Sequence, residues 1–349
     1  MKTHAIIPIF IPHLGCPNDC VFCNQRKITA RTCAPSADSV RATIEEWLST
    51  LEVKRRSGDL ECLEVAFYGG SFTGLDIEEQ SMYLAVAKEF LEAGRIDGVH
   101  LSTRPDYIDE VILDNLKAYG VKTIEIGVQS FDDEVLRKSN RGHDAAAVYK
   151  AAELIKSYGF NLGIQLMIGL PGDSLESCIY SAKEAARLQP SLARLYPTIV
   201  LDDTKLLEMY ESGEYQALSR EEAILRTKEM YKILDAAGIY IMRVGLKSTD
   251  IIGDGGAING GTYHPAFRQL VESAIARDKI EPQLDEITEG RVDISSSPAW
   301  FSNLIGNGGE NKKRWADKYP ALNIKYCVDE SLEDGEFSVV LQAAPKQPS

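Results

Sequence analysis

The sequence predicts an α/β fold: a partial (βα)6 TIM-type barrel followed by a small C-terminal α+β extension. First, short apolar, β-branched segments alternate six times with longer segments whose apolar residues recur at helical spacing. Second, consecutive βα units imply parallel strands with right-handed crossovers, which close as a curved sheet or partial barrel. Third, a length of 349 residues suits one large α/β domain or two smaller ones. Function is then expected at the carboxyl ends of the strands.

Each predicted strand is a short apolar segment, and the six are Ala5–Ile11, Leu63–Tyr68, Val99–Thr103, Thr123–Val128, Leu162–Ile168 and Ala193–Pro197. An amphipathic helix is predicted after the second strand, over Ile77–Leu91, where apolar residues fall on one face. Another is predicted between the first two strands, where Val40–Leu51 repeats that spacing. Three residues are available to cap its N-terminus: Ser36, Asp38 or Ser39. These elements belong to the predicted barrel domain, residues 1–245.

The pattern changes after Gly245, and residues 246–349 are predicted to form an extension that closes the barrel. Asp250–Tyr263 is rich in glycine and is predicted to be a long loop across the strand ends, because long loops in compact domains are often functional. The extension is further predicted to contain two helices and two strands: His264–Ile280, Asn311–Tyr319, Ile324–Val328 and Phe337–Leu341.

The composition limits the classes of function. The formal net charge is −14, so the chain should repel polyanions on average, although a local basic patch is not excluded. Apolar residues make up 44%, and no apolar run is long enough to span a membrane. The apolar N-terminus is interrupted by Pro8 and Pro12 and is predicted to be a strand rather than a signal peptide. Seven cysteines, an odd number, favour a reducing compartment, so we expect a cytoplasmic protein with no membrane partner.

Three cysteines are crowded into eight residues directly after the first predicted strand: Cys16, Cys20 and Cys23. Four thiolates would complete a tetrahedral zinc site, but the sequence has no fourth ligand at a matching spacing, the nearest candidates being His13 and Cys33. An iron–sulfur cubane is normally held by four cysteines, and three leave one iron open to a small molecule. An open metal position is typical of catalysis, and a closed one is typical of a structural role. The spacing by itself is compatible with either a zinc ion or an iron–sulfur cluster.

The C-x3-C-x2-C spacing after a first strand resembles the signature of the radical SAM superfamily. In that family the open iron of a [4Fe–4S] cluster is chelated by the amino and carboxylate groups of S-adenosylmethionine (SAM). Reduction of the cluster cleaves SAM to a 5′-deoxyadenosyl radical, which abstracts hydrogen from a substrate. The resemblance implies that Cys16, Cys20 and Cys23 hold a [4Fe–4S] cluster and that SAM is a cofactor. It also implies an external one-electron reductant such as flavodoxin or ferredoxin.

Three further segments strengthen the resemblance. F-Y-G-G-S-F-T-G, Phe67–Gly74, resembles the Gly-Gly-Glu-type motif whose backbone meets the methionyl amino group, and it is equally a Gly-rich turn. Arg141 matches an arginine that holds the SAM carboxylate, a role suited to its planar fork. Ile164–Gly172 matches a stretch along the adenine, and is equally a buried strand with a Gly-Pro stop. The SAM contacts that the resemblance implies are Phe22, Tyr68, Gly69, Gly70, Ser71, Ser102, Gln129, Arg141, Ile168, Gly169 and Tyr196.

Some motifs look more specifically like the radical SAM domain of the catalytic subunit of Elongator, which modifies wobble uridines in tRNA. They are T-R-P-D-Y (Thr103–Tyr107), E-I-G-V-Q-S (Glu125–Ser130), N-R-G-H (Asn140–His143), L-Y-P-T-I-V-L-D-D-T-K-L (Leu195–Leu206) and E-S-G-E-Y (Glu211–Tyr215). The resemblance covers about Ile7–Gly245, and a weaker one runs to oxygen-independent coproporphyrinogen oxidase. Ser102 stands where the family usually has Glu, so a ribose contact is lost or replaced. The residues after Gly245 are too few for the acetyltransferase domain of that subunit.

The sequence leaves three functional hypotheses. The first, by resemblance to Elongator, is modification of an RNA base with tRNA as the partner, which needs a basic path to the barrel mouth despite the acidic net charge. The second is a small-molecule reaction, as in coproporphyrinogen oxidase. The third is a zinc- or cluster-binding scaffold without catalysis. The G-G-S, N-R-G-H and I-G-L-P-G segments oppose the third hypothesis, because a scaffold has no use for a cofactor cradle.

Overall fold

The computed structural model describes residues 4–11, 20–24, 34–246 and 258–342. Its main sheet has seven parallel strands in the order β1-β2-β3-β4-β5-β6-β8. The strands are β1 (His4–Ile11), β2 (Cys62–Gly69), β3 (Gly98–Thr103), β4 (Val121–Gln129), β5 (Asn161–Ile168), β6 (Leu192–Pro197) and β8 (Tyr240–Val244). Among the described strands the sheet does not close on itself, because β1 pairs with β2 alone and β8 with β6 alone. The prediction of a partial parallel barrel is confirmed, and all six predicted strands are present.

Helices connect consecutive strands of this sheet. In chain order they are α1 (Ala37–Arg56), α2 (Ile77–Glu92), α3 (Glu110–Ala118), α4 (Asp133–Lys138), α5 (Ala145–Ser157), α6 (Leu175–Arg187), α7 (Lys205–Glu211) and α8 (Arg220–Ala236). The N-terminus of α1 is capped by Ser36, whose Oγ accepts a hydrogen bond from the backbone N–H of Ser39 at 3.2 Å. The structure therefore selects Ser36 from the three predicted caps.

The main core lies between the sheet and these helices. Ile44 and Leu48 of α1 and Leu84 of α2 are fully buried in it, as their spacing predicts. Central strands of a parallel sheet are covered on both faces, so long buried runs are expected there. Several inward-facing residues are nevertheless charged, and Glu125 and Arg194 are the most prominent of them. Because buried charges are costly, these side chains suggest that the interior face of the open barrel has a functional role besides packing.

A second, smaller sheet follows, in the order β11-β10-β12. Its strands are β10 (Gly290–Ser296), β11 (Leu322–Val328) and β12 (Phe337–Leu341), and the helices of this part are α9 (Phe267–Leu284), α10 (Phe301–Ile305) and α11 (Glu310–Lys318). Two further strands, β7 (Ile199–Leu201) and β9 (Ile258–Gly261), pair with each other in a separate two-stranded sheet. The predicted helices and strands of this part are confirmed. Helix α9 packs its N-terminal half on the main core and its C-terminal half on a cluster around Trp315. The division of the chain after residue 245 stays a prediction.

The predicted loop Asp250–Tyr263 is wrong in its last part, because β9 pairs antiparallel with β7 there. Glycine permits this pairing: Gly261 has φ +87°, and a Cβ on it would lie 2.6 Å from the carbonyl oxygen of Thr198. Residues 247–257 of the predicted loop lie outside the described residues. In the described part of the chain, no helix is long and apolar enough to cross a membrane.

Candidate functional site

A short turn carries two of the three clustered cysteines. The backbone N–H of Cys23 donates to the carbonyl oxygen of Cys20 at 2.9 Å, so the two thiols lie on one tight turn. Cys20 is buried and Cys23 is partly exposed. Cys16 lies outside the described residues, and the residues that are described contain no group of three or more potential metal ligands. The structure thus bears on two of the three predicted metal ligands.

The cysteine turn is docked against the carboxyl edge of the main sheet. The backbone N–H of Val21 donates to the carbonyl oxygen of Ser139 at 3.1 Å, and that of Leu206 donates to the carbonyl oxygen of Val21 at 2.7 Å. The side-chain amide of Asn24 donates to the carbonyl oxygen of Asp202 at 2.8 Å. Val21 and Phe22 pack in an apolar cluster with residues of β7 and α7. These contacts hold Cys20 between the chain after β4 and the chain after β6.

Two buried guanidinium groups flank the thiol of Cys20. Nη1 of Arg141 lies 3.4 Å from the sulfur and Nη1 of Arg104 lies 4.0 Å from it. Arg104 and Arg141 are only 2% and 7% exposed. Nη2 of Arg141 donates to the carbonyl oxygen of Gly127 at 2.6 Å, whereas its buried Nε has no hydrogen-bond partner within the described part of the chain. Buried cations require a compensating anion, so this position favours a negatively charged ligand.

Arg104 is held rigidly by its neighbours. Its Nε and Nη2 both donate to the carboxylate of Asp106 at 2.9 Å, and Nη2 also donates to the carbonyl oxygen of Arg141 at 2.7 Å. Arg104 directly follows β3, and its backbone N–H donates to Oγ of Ser71 at 3.2 Å. Arg104 belongs to the T-R-P-D-Y motif, but no role was predicted for it from the sequence. The sequence signal for this ion pair is an arginine and an aspartate two residues apart directly after a predicted strand.

His143 lies buried beside the same charges. Burial lowers its pKa, and the positive charges of Arg141 and Arg104 lower it further, to about 3. The carboxylate of Asp106, 3.9 Å from Nδ1, raises the pKa by less than these effects lower it. His143 is therefore neutral at physiological pH and contributes no positive charge to the site.

We expect His143 to make the apoprotein less stable in acid. The unfolded chain binds a proton at His143 below about pH 6.5, whereas the folded chain does so only near pH 3, so stability falls as the pH drops through this window. Between pH 7 and pH 5 the loss attributable to this residue is about 2 kcal/mol. Urea unfolding of wild type and His143→Asn at both pH values measures it. Equal losses in the two proteins would contradict the buried neutral state of His143.

The turn after β2 presses against the end of β1. Gly69 has φ +116°, and a Cβ on it would lie 2.1 Å from the carbonyl oxygen of Ile11, so only glycine fits. The backbone N–H of Gly70 donates to that same oxygen at 3.0 Å. The hydroxyls of Ser71 and Thr103 are hydrogen-bonded at 2.7 Å, which ties this turn to the end of β3. The predicted Gly69–Ser71 contacts therefore lie at the same sheet edge as Arg104.

The ends of β4 and β5 hold further predicted site residues. Gln129 has φ +71°, an uncommon conformation for a residue other than glycine, and such outliers often occur at functional sites. Its Oε1 accepts a hydrogen bond from Nε2 of Gln165 at 3.3 Å. Gly169 has φ +82°, and its carbonyl oxygen accepts a hydrogen bond from the hydroxyl of Tyr215 at 2.7 Å. The side chain of Ile168 is fully buried in the main core.

A charged network occupies the barrel interior below this edge. Nε of Arg194 lies 2.9 Å from Oε2 of Glu125, which is 1% exposed. Arg194 donates to the hydroxyls of Tyr68 and Tyr196, two residues predicted separately to be in the site. Burial raises the pKa of Glu125, but Arg194 and then His100 lower it more, so the carboxyl remains ionised. Sequence reasoning missed both Glu125 and Arg194.

Most of the predicted site residues are thus assembled at one end of the barrel. The residues at the carboxyl edge of the sheet are Cys20, Cys23, Gly69, Gly70, Ser71, Gln129, Arg141 and Gly169. Tyr68 and Tyr196 meet at Arg194, and Ser102 lies partly exposed on β3 beside Glu125 of β4. Phe22 and Ile168 have their side chains in apolar clusters. The role of each residue in binding a cofactor stays a prediction.

The fold and the site define an open α/β barrel protein with a cysteine-bearing site at the carboxyl edge of its sheet. Residues 10–185 match the family model of the radical SAM superfamily, and residues 190–277 match that of the radical SAM C-terminal domain. The chain belongs to the radical SAM superfamily and is an enzyme of that class. The family resemblance of the sequence motifs is confirmed.

Similar proteins include tRNA-modifying enzymes. A tRNA uridine(34) acetyltransferase of Methanocaldococcus infernus is 31% identical over 182 residues, which cover 46% of this chain and 34% of the relative. Elongator complex protein 3 of Dictyostelium discoideum is 28% identical over 213 residues, covering 54% of this chain and 38% of that protein. The chain thus spans little more than a third of either relative.

A solved structure has the same fold. The archaeal Methanocaldococcus infernus Elp3 with an N-terminal deletion superposes with a TM-score of 0.61 and 22% sequence identity. The match covers 80% of this chain and 64% of that chain. Most of this chain therefore shares the fold of that protein.

Proposed function

We propose that this radical SAM enzyme holds a [4Fe–4S] cluster through Cys16, Cys20 and Cys23, binds SAM beside it, and acts on a base of tRNA. The observation that carries the cofactor half of the proposal is the pair of buried guanidinium groups at the thiol of Cys20. Buried positive charges need negative partners: Asp106 supplies one for Arg104, and a cluster bound by thiolates would supply one for Arg141.

The residues present fit these cofactors. The cysteine turn offers sulfur ligands, and the buried Nε of Arg141, without a partner among the described residues, offers a hydrogen bond to an anion. With one iron left open, the cluster supplies one-electron reduction of SAM and thereby a 5′-deoxyadenosyl radical for hydrogen abstraction. An external one-electron reductant such as flavodoxin or ferredoxin is part of the proposal. Such a cluster suits a reducing compartment, and we propose a cytoplasmic location on that ground.

Several site residues have a proposed task toward SAM. Arg141, fixed by the carbonyl oxygen of Gly127, would hold the SAM carboxylate through its planar fork. The backbone of Gly69–Ser71, where Gly69 has no room for a side chain, would contact the methionyl amino group. Ile168 and Gly169 would lie along the adenine through their backbone, since the side chain of Ile168 is buried in the core. Ser102 would stand near the ribose.

The barrel interior suits a polar substrate. Tyr68, Tyr196 and Gln165 are each partly exposed there, and together with Arg194 they present hydrogen-bond donors and acceptors. Proteins read unstacked RNA bases through such groups on the base edges. The name of one relative, tRNA uridine(34) acetyltransferase, concerns uridine 34 of tRNA, which makes a tRNA base the first candidate. The proposal is limited to the radical step and does not include acetyl transfer.

We expect tRNA to stimulate SAM cleavage by the reconstituted enzyme. The net charge of −14 requires local contacts to phosphate, so retention of tRNA should fall steeply as salt is raised. The measurement is 5′-deoxyadenosine formed with and without tRNA at low salt, together with retention of labelled tRNA in a gel. If neither stimulation nor retention occurs while SAM is still cleaved, the tRNA half of the proposal is wrong. The small-molecule hypothesis would then replace it.

A further inference from the structure

Arg104 and Arg141 face the same sulfur atom but are held differently. The Nε–Nη2 edge of Arg104 is already occupied by the carboxylate of Asp106, and Nη1 is the part that faces Cys20. Arg141 instead retains an unpartnered buried Nε within the described residues. Arg141 is therefore suited to receive a ligand, whereas Arg104 is suited to be a fixed positive charge beside the cysteine.

The position of Arg104 favours the more negative state of anything bound at Cys20. One-electron reduction of a cluster adds one negative charge and, as a simple electron transfer, breaks no bond. A buried positive charge a few ångströms away stabilises that added charge, because little water is present to screen it. Charge, hydrogen bonds to the sulfurs and solvent exposure are known to set the potentials of iron–sulfur clusters.

We propose that Arg104 raises the reduction potential of the cluster at Cys20, and that the negative charge of Asp106 offsets part of this effect. This makes Arg104 a positioning residue for the electron-accepting step, distinct from the SAM-binding role proposed for Arg141. The electron comes from the external reductant and resides on the cluster, and Arg104 exchanges neither a proton nor an electron. The inference rests on the proposed [4Fe–4S] cluster and does not depend on the identity of the substrate.

The test is an anaerobic redox titration of the reconstituted enzyme without SAM, followed by EPR of the reduced cluster. Arg104→Gln should move the midpoint potential to more negative values. Arg104→Lys keeps the positive charge and should have a potential close to that of the wild type. Asp106→Asn should move the potential the opposite way, because it removes a negative charge and leaves the guanidinium in place. Arg56→Gln, at a side chain that is 80% exposed on α1, removes the same charge elsewhere and should leave the potential unchanged.

The inference is overturned if Arg104→Gln assembles a full cluster whose potential equals that of Arg56→Gln. If Arg104→Gln fails to assemble a cluster, Asp106→Asn decides: a shift to more positive potential supports the inference, and an unchanged or more negative potential overturns it. A wild-type chain that assembles no cluster overturns both this inference and the proposed function. A wild-type cluster whose potential is insensitive to these changes overturns only the inference.

Discussion

Cys20→Ala is expected to abolish assembly of the iron–sulfur cluster. The thiol of Cys20 is buried between two guanidinium groups, so its loss removes a ligand from a position that no other described cysteine occupies. Two remaining cysteines are too few to hold a cubane, which needs three thiolates even when a small molecule binds the open iron. Iron and sulfide content after anaerobic reconstitution, together with EPR, measures the effect. We expect iron content at the level of protein that has not been reconstituted.

The matched control is Cys327→Ala. Cys327 lies partly exposed on β11 of the second sheet, away from the cysteine turn. It should retain the full iron content and the wild-type EPR spectrum. A Cys20→Ala protein that keeps the same iron content as this control would show that Cys20 is not a cluster ligand.

Arg194→Met is expected to cause the largest loss of stability. Removing the guanidinium leaves the carboxylate of Glu125 buried and without its nearest positive charge. Breaking a buried ion pair in this way costs about 3–5 kcal/mol, whereas replacing both partners by apolar groups is often nearly neutral. The double variant Arg194→Met/Glu125→Leu should therefore recover most of the loss. Urea unfolding of the apoproteins at neutral pH gives the free energies of unfolding.

An exposed ion pair provides the control for this prediction. Nη2 of Arg137 lies 2.6 Å from Oε1 of Glu134 on the surface of α4, closer than the buried pair. Because water screens it, Arg137→Met should lower the stability far less than Arg194→Met. Similar losses from the two variants, or a double variant less stable than Arg194→Met, would contradict the account of the barrel interior.

The sequence predicted the barrel well because its signal is local. Each of the first six strands is a short apolar run, and helices such as α2 carry their apolar residues on one face. Strand β8 was missed, since Y-I-M-R-V is short, contains Arg243 and lies at the sheet edge with Tyr240 exposed. Strand β9 was missed because its glycine-rich sequence resembles a loop. Its pairing with β7, distant in the chain, is what makes it a strand.

The candidate site likewise contains some residues that could be predicted from local sequence and others that only the fold brings together. Clustered cysteines and glycine turns are visible along the chain, so Cys20 and Gly69 could be proposed from sequence. Arg104 could not be assigned a role, because its contact with Cys20 joins residues 84 positions apart. Glu125 and Arg194 lie on strands separated by β5, 69 positions apart in the chain, and meet only in the folded sheet. Glutamate and arginine are usually exposed, so the burial of this pair could be seen only in the tertiary structure.

The site is proposed above all to produce a radical from SAM. The most direct measurement is 5′-deoxyadenosine, quantified by mass spectrometry after anaerobic reconstitution with iron and sulfide and addition of SAM and dithionite. The account predicts that it accumulates with wild type and is absent with a variant in which Cys16, Cys20 and Cys23 are all alanine. The claim is contradicted if the wild-type cluster is verified by iron content and EPR but no 5′-deoxyadenosine forms, with or without tRNA. Formation by the triple variant would equally contradict it.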